Sequence, residues 1–391
     1  MSGETVRVML ADSISKVATE MLTDAGGFEI HDKSGISAED LVNEIGDYDV
    51  LIVRSRTKVD KRILEAATRL KLIGRAGIGI DNIDLQEATR RGVVVMNAPR
   101  GNSVTTAELA LAHLFSVARH LPNATDSMRQ GKWEKKRFLG RQIAGSSLGV
   151  VGLGNIGQIV ASRAQGLGMN VLGFDPFVTS DRMQELGIEP HRDLETILKK
   201  ADFITIHTPI TPKTRHLIGK KELAHMKSDA YLINCARGGI VDEEALYSAL
   251  KGNQIAGAAL DVFETEPVTD NPLLSLPNVF TTPHIGAATK EAQLKVAIEL
   301  VEQVIDYFVR NVVRNAVNLP RMQEKEQKEL WPFVVLARTL GEFAGRFHEG
   351  RVEEINVTYH GAQFDADSVK MVTNAALKGV LSAAMDSPIT L

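Results

Sequence analysis

Leu148-Gly-Val-Val-Gly-Leu-Gly-Asn-Ile-Gly157, followed after one helical run by Asn170-Val-Leu-Gly-Phe-Asp175, is the stretch that decides the fold. An apolar run suited to a buried strand leads into Gly152, Gly154 and Gly157 at G-x-G-x-x-G spacing. The helix that follows, Gln158–Leu167, points its free backbone N–H groups at whatever fills the turn, which makes a pyrophosphate site. Gly152 permits the tight turn, Gly154 leaves room for close backbone approach, and Gly157 lets the helix lie close on the strand. Glycines at this spacing also occur in ordinary strand-turn-helix units; what adds weight is Asp175. It ends a second strand and can accept hydrogen bonds from an adenosine ribose. The same carboxylate would repel a 2′-phosphate and no arginine directly follows it, so the cofactor read from these residues is NAD and not NADP.

Working outward, short β-rich runs alternate with helical stretches. Val6–Leu10, Val50–Val53, Lys71–Arg75 and Val93–Met96 are separated by helices such as Ser15–Ala25 and Asp60–Ala67. Such alternation builds a parallel α/β domain. Its second and third strands run into Arg54-Ser55 and Arg75-Ala-Gly-Ile-Gly-Ile-Asp81. Ligands gather at the carboxyl ends of parallel strands, and two arginines beside Gly77 and Gly79 suit an anion pocket, although either arginine alone reads more readily as a solvated charge. Pro99-Arg-Gly-Asn-Ser103 breaks the sheet pattern, and an apolar helix, Thr105–His120, begins beyond it.

The sheet containing the glycine loop continues in strands Phe203–His207, Ala230–Asn234, Ala256–Leu260 and Val279–Thr282. A helix at Lys290–Phe308 is long enough to return the chain to the first domain, which makes that domain discontinuous. Arg321–Glu329 is charged and linker-like; beyond it Trp331–Phe347 reads as helix, Glu354–Tyr359 as strand and Asp367–Met385 as helix. The expected class is α/β, with two Rossmann-like doubly wound parallel-sheet domains and a partial C-terminal α+β segment. The expected boundaries are 1–100 with 285–318 for a substrate-binding domain, 101–284 for the NAD-binding domain, and 319–391 for the last segment.

Composition bounds the function class. The 391 residues carry a net charge of −4, so no global attraction to nucleic acid or membrane surface is built in. Anionic ligands must then be met by local arginines. The single Cys235 excludes an internal disulfide framework and suits a reducing compartment. Met1-Ser-Gly-Glu-Thr lacks the basic and then apolar run of a signal peptide, and the expected location is cytoplasmic. The basic stretch Trp133–Arg141 is too short in an acidic chain to argue for nucleic acid and reads as a solvated arm or subunit contact.

Three polar residues follow strands of the second sheet: Arg237 in Asn234-Cys-Ala-Arg-Gly-Gly239, Glu266 in Asp261-Val-Phe-Glu-Thr-Glu-Pro267, and His284 in Thr282-Pro-His-Ile-Gly286. Oxidising a hydroxy acid needs a base for the hydroxyl proton, a group that orients the base, and a cation for the carboxylate. His284, with an unperturbed pKa of about 6.5, fits the base. Glu266 fits the orienting group and Arg237 the bidentate fork. Asp261 either receives the nicotinamide amide or caps the next segment.

These motifs together resemble the D-isomer-specific 2-hydroxyacid dehydrogenases, in the branch that oxidises 3-phosphoglycerate. The carriers are Leu51–Ser55, Gly74–Asp84, Gly101–Ser103, Gly131–Lys136, the glycine loop, Asn234–Asp242, Ala259–Phe263 and Pro283–Ala287. The resemblance implies NAD-linked oxidation of 3-phosphoglycerate with Arg237, Glu266 and His284 as the catalytic set. It assigns Arg54, Ser55, Arg75, Gly77, Gly79 and Asn102 to the substrate, together with Arg237 and His284. Ile78, Asn155, Ile156, Asp175, Thr208, Cys235, Ala236, Asp261, Gly286 and Ala287 fall to the cofactor with the three loop glycines. Relatives often carry Thr where Ile78 stands. It also implies a homo-oligomer, dimer or tetramer, paired through the dinucleotide domains near Trp133, no metal, and an allosteric-type origin for the tail. The competing readings are a glyoxylate or hydroxypyruvate reductase and an NAD-sensing corepressor.

Overall fold

The structure is a computed structural model that describes residues 5–310, 312–319, 324–348, 354–360 and 366–384. The chain divides into two compact units, residues 1–101 with 293–391, and residues 102–292.

In the first unit the described strands are β1 (Val6–Leu10), β2 (Phe28–Asp32), β3 (Val50–Val53), β4 (Leu72–Arg75) and β5 (Val94–Asn97), all parallel, in the order β2-β1-β3-β4-β5. Side chains alternate between two cores because successive residues of a strand point to opposite faces. Val8, Leu10, Val50 and Ile52 join the cluster that takes Val296, Leu300 and Val304 from the helix Lys290–Ile305, whereas Met9, Leu51 and Val53 join the opposite cluster with Leu41 and Ile63. Burial of each such side chain stabilises by about 1.5–3 kcal/mol. Gly74 admits that helix, since a β-carbon there would stand 3.1 Å from Leu300 Cδ1. The returning chain then closes the edge of β5: Asn318 Oδ1 accepts from Val95 N, and its Nδ2 donates to Val93 O.

In the second unit the described strands are β6 (Ser147–Val151), β7 (Asn170–Phe174), β8 (Glu189–Pro190), β9 (Phe203–Ile206), β10 (Tyr231–Asn234), β11 (Gly257–Leu260) and β12 (Val279–Thr281). Their order is β12-β11-β10-β9-β6-β7-β8, and every pairing is parallel. The order reverses between β6 and β9, which marks the crevice where such sheets bind ligands. Phe203 and Tyr231 stack at 5.5 Å on one face with Leu148, Val150 and the helix Ser103–Arg119, while Ile204, Ile206 and Leu232 pack the other.

Several expectations change. Strand β2 escapes the sequence reading because it is an edge strand of mixed polarity, Phe-Glu-Ile-His-Asp, only partly buried. The helix after the glycine loop begins at Asn155, not Gln158. The charged, linker-like stretch is helical from Glu324, in one helix Glu324–Phe347 that contains Pro332. Glu and Lys are good helix formers, and one proline removes a single backbone hydrogen bond without ending the helix. Glu354–Tyr359 is not a strand: its alternation of polar and apolar residues finds no neighbouring strand to pair with among the described residues. The described part of the C-terminal segment is therefore two helices, Glu324–Phe347 and Ala366–Ala384, and not α+β. They meet where Gly341 and Gly379 let the backbones approach, because a β-carbon at Gly341 would stand 2.1 Å from Ala376 O. Residues 321–323 and Met385, parts of the linker and final-helix expectations, lie outside the described residues.

Candidate active site

The glycines of the loop after β6 do different things, and the backbone demands two of them. Gly152 adopts φ +95°, and a β-carbon there would stand 2.8 Å from the His207 carbonyl. At Gly157 a β-carbon would stand 2.0 Å from Gly152 O. A β-carbon at Gly154 would meet nothing within 4 Å, so the space over the start of the helix Asn155–Gly166 stays open, with Gly154 and Asn155 exposed and Ile156 half-buried. Such a cradle suits a pyrophosphate. Beside it, Thr208 Oγ1 and His207 Nδ1 are buried with no hydrogen-bond partner among the described residues. Burial pushes the His207 ring down to about 3, which keeps it neutral. Asp175 ends the next strand with its carboxylate already engaged: Oδ2 accepts from Leu153 N and Oδ1 from Phe177 N, each at 2.8 Å. It therefore shapes the glycine loop as well as offering acceptors to a ribose.

Past the ends of β10, β11 and β12 three turns converge. Gly238 lets the turn carrying Arg237 lie directly on the turn carrying Glu266, since a β-carbon at Gly238 would stand 1.8 Å from Phe263 O. Glu266 Oε1 accepts from Phe263 N at 3.0 Å, and Oε2 accepts from His284 Nδ1 at 2.6 Å. Burial would push the Glu266 carboxyl up, but the bonds from His284 and Phe263 and the charge of Arg237 outweigh it and hold the group below the usual carboxylate range. A charged acceptor on Nδ1 leaves Nε2 as the ring atom that exchanges protons. His284 itself is exposed and sits at φ +52°, a conformation that costs a non-glycine residue on the order of 1 kcal/mol. Asp261 holds the turn in that shape, its carboxylate accepting from Ile285 N and Gly286 N, both at 2.8 Å. Arg237 Nη1 donates to Ala236 O, and Asn234 Nδ2 braces the turn through Arg237 O.

The structure thus brings Arg237, Glu266, His284, Asp261 and Gly286 together, with half-buried Ala287 following. Cys235 and Ala236 are buried, and Cys235 Sγ faces His113 at 3.6 Å. Any cofactor contact at Cys235 is therefore through its backbone. Burial pushes its thiol well above the usual range, so it is inert. Asn102 is buried, and its Oδ1 has no partner among the described residues.

In the first unit Arg54 and Ser55 follow β3, next to the end of β1 where that sheet's order reverses. The residue that shapes this turn is Asp12, which the sequence reading passes over. It is 4% exposed and accepts from Arg54 N at 2.6 Å, Arg56 Nε at 2.8 Å and Thr57 N at 3.3 Å. Burial would raise its carboxyl, yet these bonds hold it below the usual range. The Arg75 guanidinium lies over Gly77, where a β-carbon would stand 1.5 Å from Nη1, so a side chain at 77 would displace it. Ile78 contributes its carbonyl to Asn97 Nδ2, and Gly79 is half-buried. Also unread in the sequence is Glu243, which ties Glu264 N and Asn271 Nδ2 at 2.6 Å each and so steadies the loop that bears Glu266. One acidic residue among three opening a helix, Asp242 to Glu244, carries no signal for that role.

The NAD-binding domain of D-isomer-specific 2-hydroxyacid dehydrogenases matches residues 111–286. The intervening domain of D-3-phosphoglycerate dehydrogenases matches residues 329–390. D-3-phosphoglycerate dehydrogenase of Methanocaldococcus jannaschii is 42% identical over 386 residues, covering 99% of this chain and 73% of that protein. That of Archaeoglobus fulgidus is 44% identical over 387 residues, with the same coverage of 99% and 73%. A solved protein from Thermus thermophilus superposes with a TM-score of 0.72 at 34% identity, covering 80% of this chain and 100% of that one. Among the described residues no helix is long and apolar enough to cross a membrane. With its glycine loop and its relatives in agreement, the chain belongs to the D-3-phosphoglycerate dehydrogenases, a branch of the NAD-binding D-isomer-specific 2-hydroxyacid dehydrogenases.

Proposed function

We propose that this protein oxidises 3-phospho-D-glycerate to 3-phosphohydroxypyruvate with NAD, the opening step of L-serine biosynthesis, in the cytoplasm. The observation that carries the reading is the 2.6 Å ion pair of His284 with Glu266 beside Arg237, at the strand ends of the NAD-binding sheet. When bound, NAD supplies the hydride acceptor. His284 Nε2 takes the hydroxyl proton, and Glu266 holds the ring through Nδ1 and stabilises its charged form. Arg237 offers two parallel N–H groups to the substrate carboxylate. Asp261 and Gly286 present the turn to the nicotinamide amide. Gly152, Gly154, Asn155, Ile156 and Gly157 hold the pyrophosphate, Asp175 the ribose, with Thr208, Ile78, Cys235, Ala236 and Ala287 lining the rest. Residues 1–100 with 285–318 form the substrate-binding domain, where Arg54 and Arg75, with Ser55, Gly77 and Gly79, bind the phosphate; Asn102 completes the substrate set. A glyoxylate reductase would share the acid–base pair and lack a use for the two arginines.

Substrate deuterated at carbon 2 tests the chemistry. Transfer of the label to the nicotinamide ring is the expected result; label released to water rules out hydride transfer. Asp175 predicts that kcat/KM for NAD exceeds that for NADP by at least about tenfold, since a like-charge contact costs on the order of 1.4 kcal/mol. Equal values would refute the assignment. Changing Asp175→Ser with Pro176→Arg should narrow the gap, and it should also lower NAD efficiency, because Leu153 N loses its acceptor. The protein is proposed to act as a homo-oligomer through the surface around Trp133, which is 80% exposed, and Leu139, which is 86% exposed. Surface apolar residues of that size mark contact sites.

A further inference from the structure

His113, on the helix Ser103–Arg119, is 5% exposed and lies in no motif that carries the chemistry. Both of its ring nitrogens are engaged: Nδ1 is 3.6 Å from Cys235 Sγ, and Nε2 is 3.1 Å from Thr282 Oγ1. Thr282 Oγ1 in turn donates to Asp261 Oδ1 at 2.6 Å. The directions follow from valence. A carboxylate only accepts, so the single hydroxyl proton of Thr282 is committed to Asp261, and Thr282 must accept from His113. Nε2 therefore carries the ring proton, and Nδ1 is bare and accepts from the Cys235 thiol. Burial favours this neutral ring by pushing His113 down, against the raising effect of Asp261, and the Cys235 thiol is held protonated. Every donor in the row Cys235, His113, Thr282, Asp261 points the same way, and such chains reinforce one another in a low-dielectric interior.

The row ends on the carboxylate that fixes Ile285 N and Gly286 N, and so on the strained turn that bears His284. We propose that His113 is a positioning residue for the reaction: through Thr282 it fixes Asp261 and thereby the turn that presents His284 and meets the nicotinamide end of NAD. The inference rests on the proposed role of that turn in binding the cofactor. It assigns to the long helix a second task beyond packing the sheet.

The test joins a spectroscopic reading of the free protein to NADH titration. In ¹⁵N-histidine spectra of the cofactor-free protein, His113 is expected as the neutral tautomer protonated at Nε2; a proton on Nδ1 would contradict the row outright. His113→Met and Thr282→Val are each expected to raise the Kd for NADH about five- to tenfold, as for loss of a buried hydrogen bond. His113→Gln and Thr282→Ser, which keep the donor and the hydroxyl, are expected to stay within about twofold of the parent. The His113→Met/Thr282→Val double variant should lose no more than the worse single variant, since both cut one link. Additive losses, or a His113→Met protein that binds NADH like the parent, overturn the proposal. If His113→Met does not fold, the tautomer and the Thr282 pair decide it. A parent that fails to bind NADH at all would instead strike the cofactor reading.

Discussion

Replacing His284 with Ala should lower kcat for 3-phosphoglycerate oxidation by roughly 10²–10⁴ while the Kd for NADH stays within about twofold, the pattern expected when a general acid–base group is lost and binding is not. The magnitude follows from the placement of the ring. Nδ1 is committed to Glu266 at 2.6 Å, which leaves Nε2 to exchange the proton, and alanine supplies no group in its place. Alanine should tolerate the left-handed backbone at 284 less well than histidine does, so the variant's thermal unfolding must be recorded beside its rates. A kcat within tenfold of the parent, in a folded protein, removes His284 from the role. Glu266→Gln should lose less. It should also move the limb of the pH–rate profile for oxidation to lower pH, because the protonated ring then lacks its anionic partner. The sign is fixed by the low proton affinity of Glu266, which keeps it charged across the working range. A limb that stays in place assigns Glu266 to loop architecture alone, through Phe263 N.

The second large effect belongs to the phosphate. Arg54→Ala is expected to raise KM for 3-phosphoglycerate by about 30-fold or more, corresponding to about 2 kcal/mol for a lost charge-assisted contact, and to leave any activity on glyoxylate almost unchanged. The Arg54 backbone is pinned to Asp12, so its side chain starts from a fixed point. Raised salt should weaken phosphoglycerate binding in the parent and do so less in the variant, since the attraction is between charges partly open to solvent. If Arg54→Ala and Arg75→Ala each leave the KM within about twofold, the phosphate is bound elsewhere. The basic turn Lys135–Phe138 is then the next place to test.

What was legible in the sequence is what the backbone itself dictates. The turn after β6 can be read because Gly152 and Gly157 each exclude a β-carbon, so the fold writes glycine at both places. Strand ends could be read because buried parallel strands are largely apolar runs, and Arg237 and His284 each stand three residues past the end of one, β10 and β12. Asp12, Glu243 and His113 could not be read, because each acts through partners far away along the chain and leaves no local pattern. Cys235 illustrates the converse. It stands in a cofactor motif, yet its side chain turns inward to His113, an orientation that spacing along a strand end does not encode. The tail misled in two ways for a single reason. The charged run before Trp331 suggested a linker, and the alternation Glu-Ile-Asn-Val-Thr-Tyr suggested a strand; local signals of both kinds yield when the neighbouring elements offer no partner or continue through.

The His284–Glu266 pair on the second sheet is proposed to serve a phosphorylated hydroxy acid. Its most direct test is kcat/KM of the purified protein for 3-phospho-D-glycerate with NAD, set beside D-lactate with NAD and glyoxylate with NADH under the same conditions. The phosphorylated substrate should be preferred over each of the others by at least about 100-fold, the discrimination expected when two fixed arginines are left without their anion by the smaller acids. Equal or greater efficiency with glyoxylate would contradict it and make the protein a reductase of small 2-oxo acids. No turnover of any of the three, with NADH still bound, would favour the NAD-sensing reading.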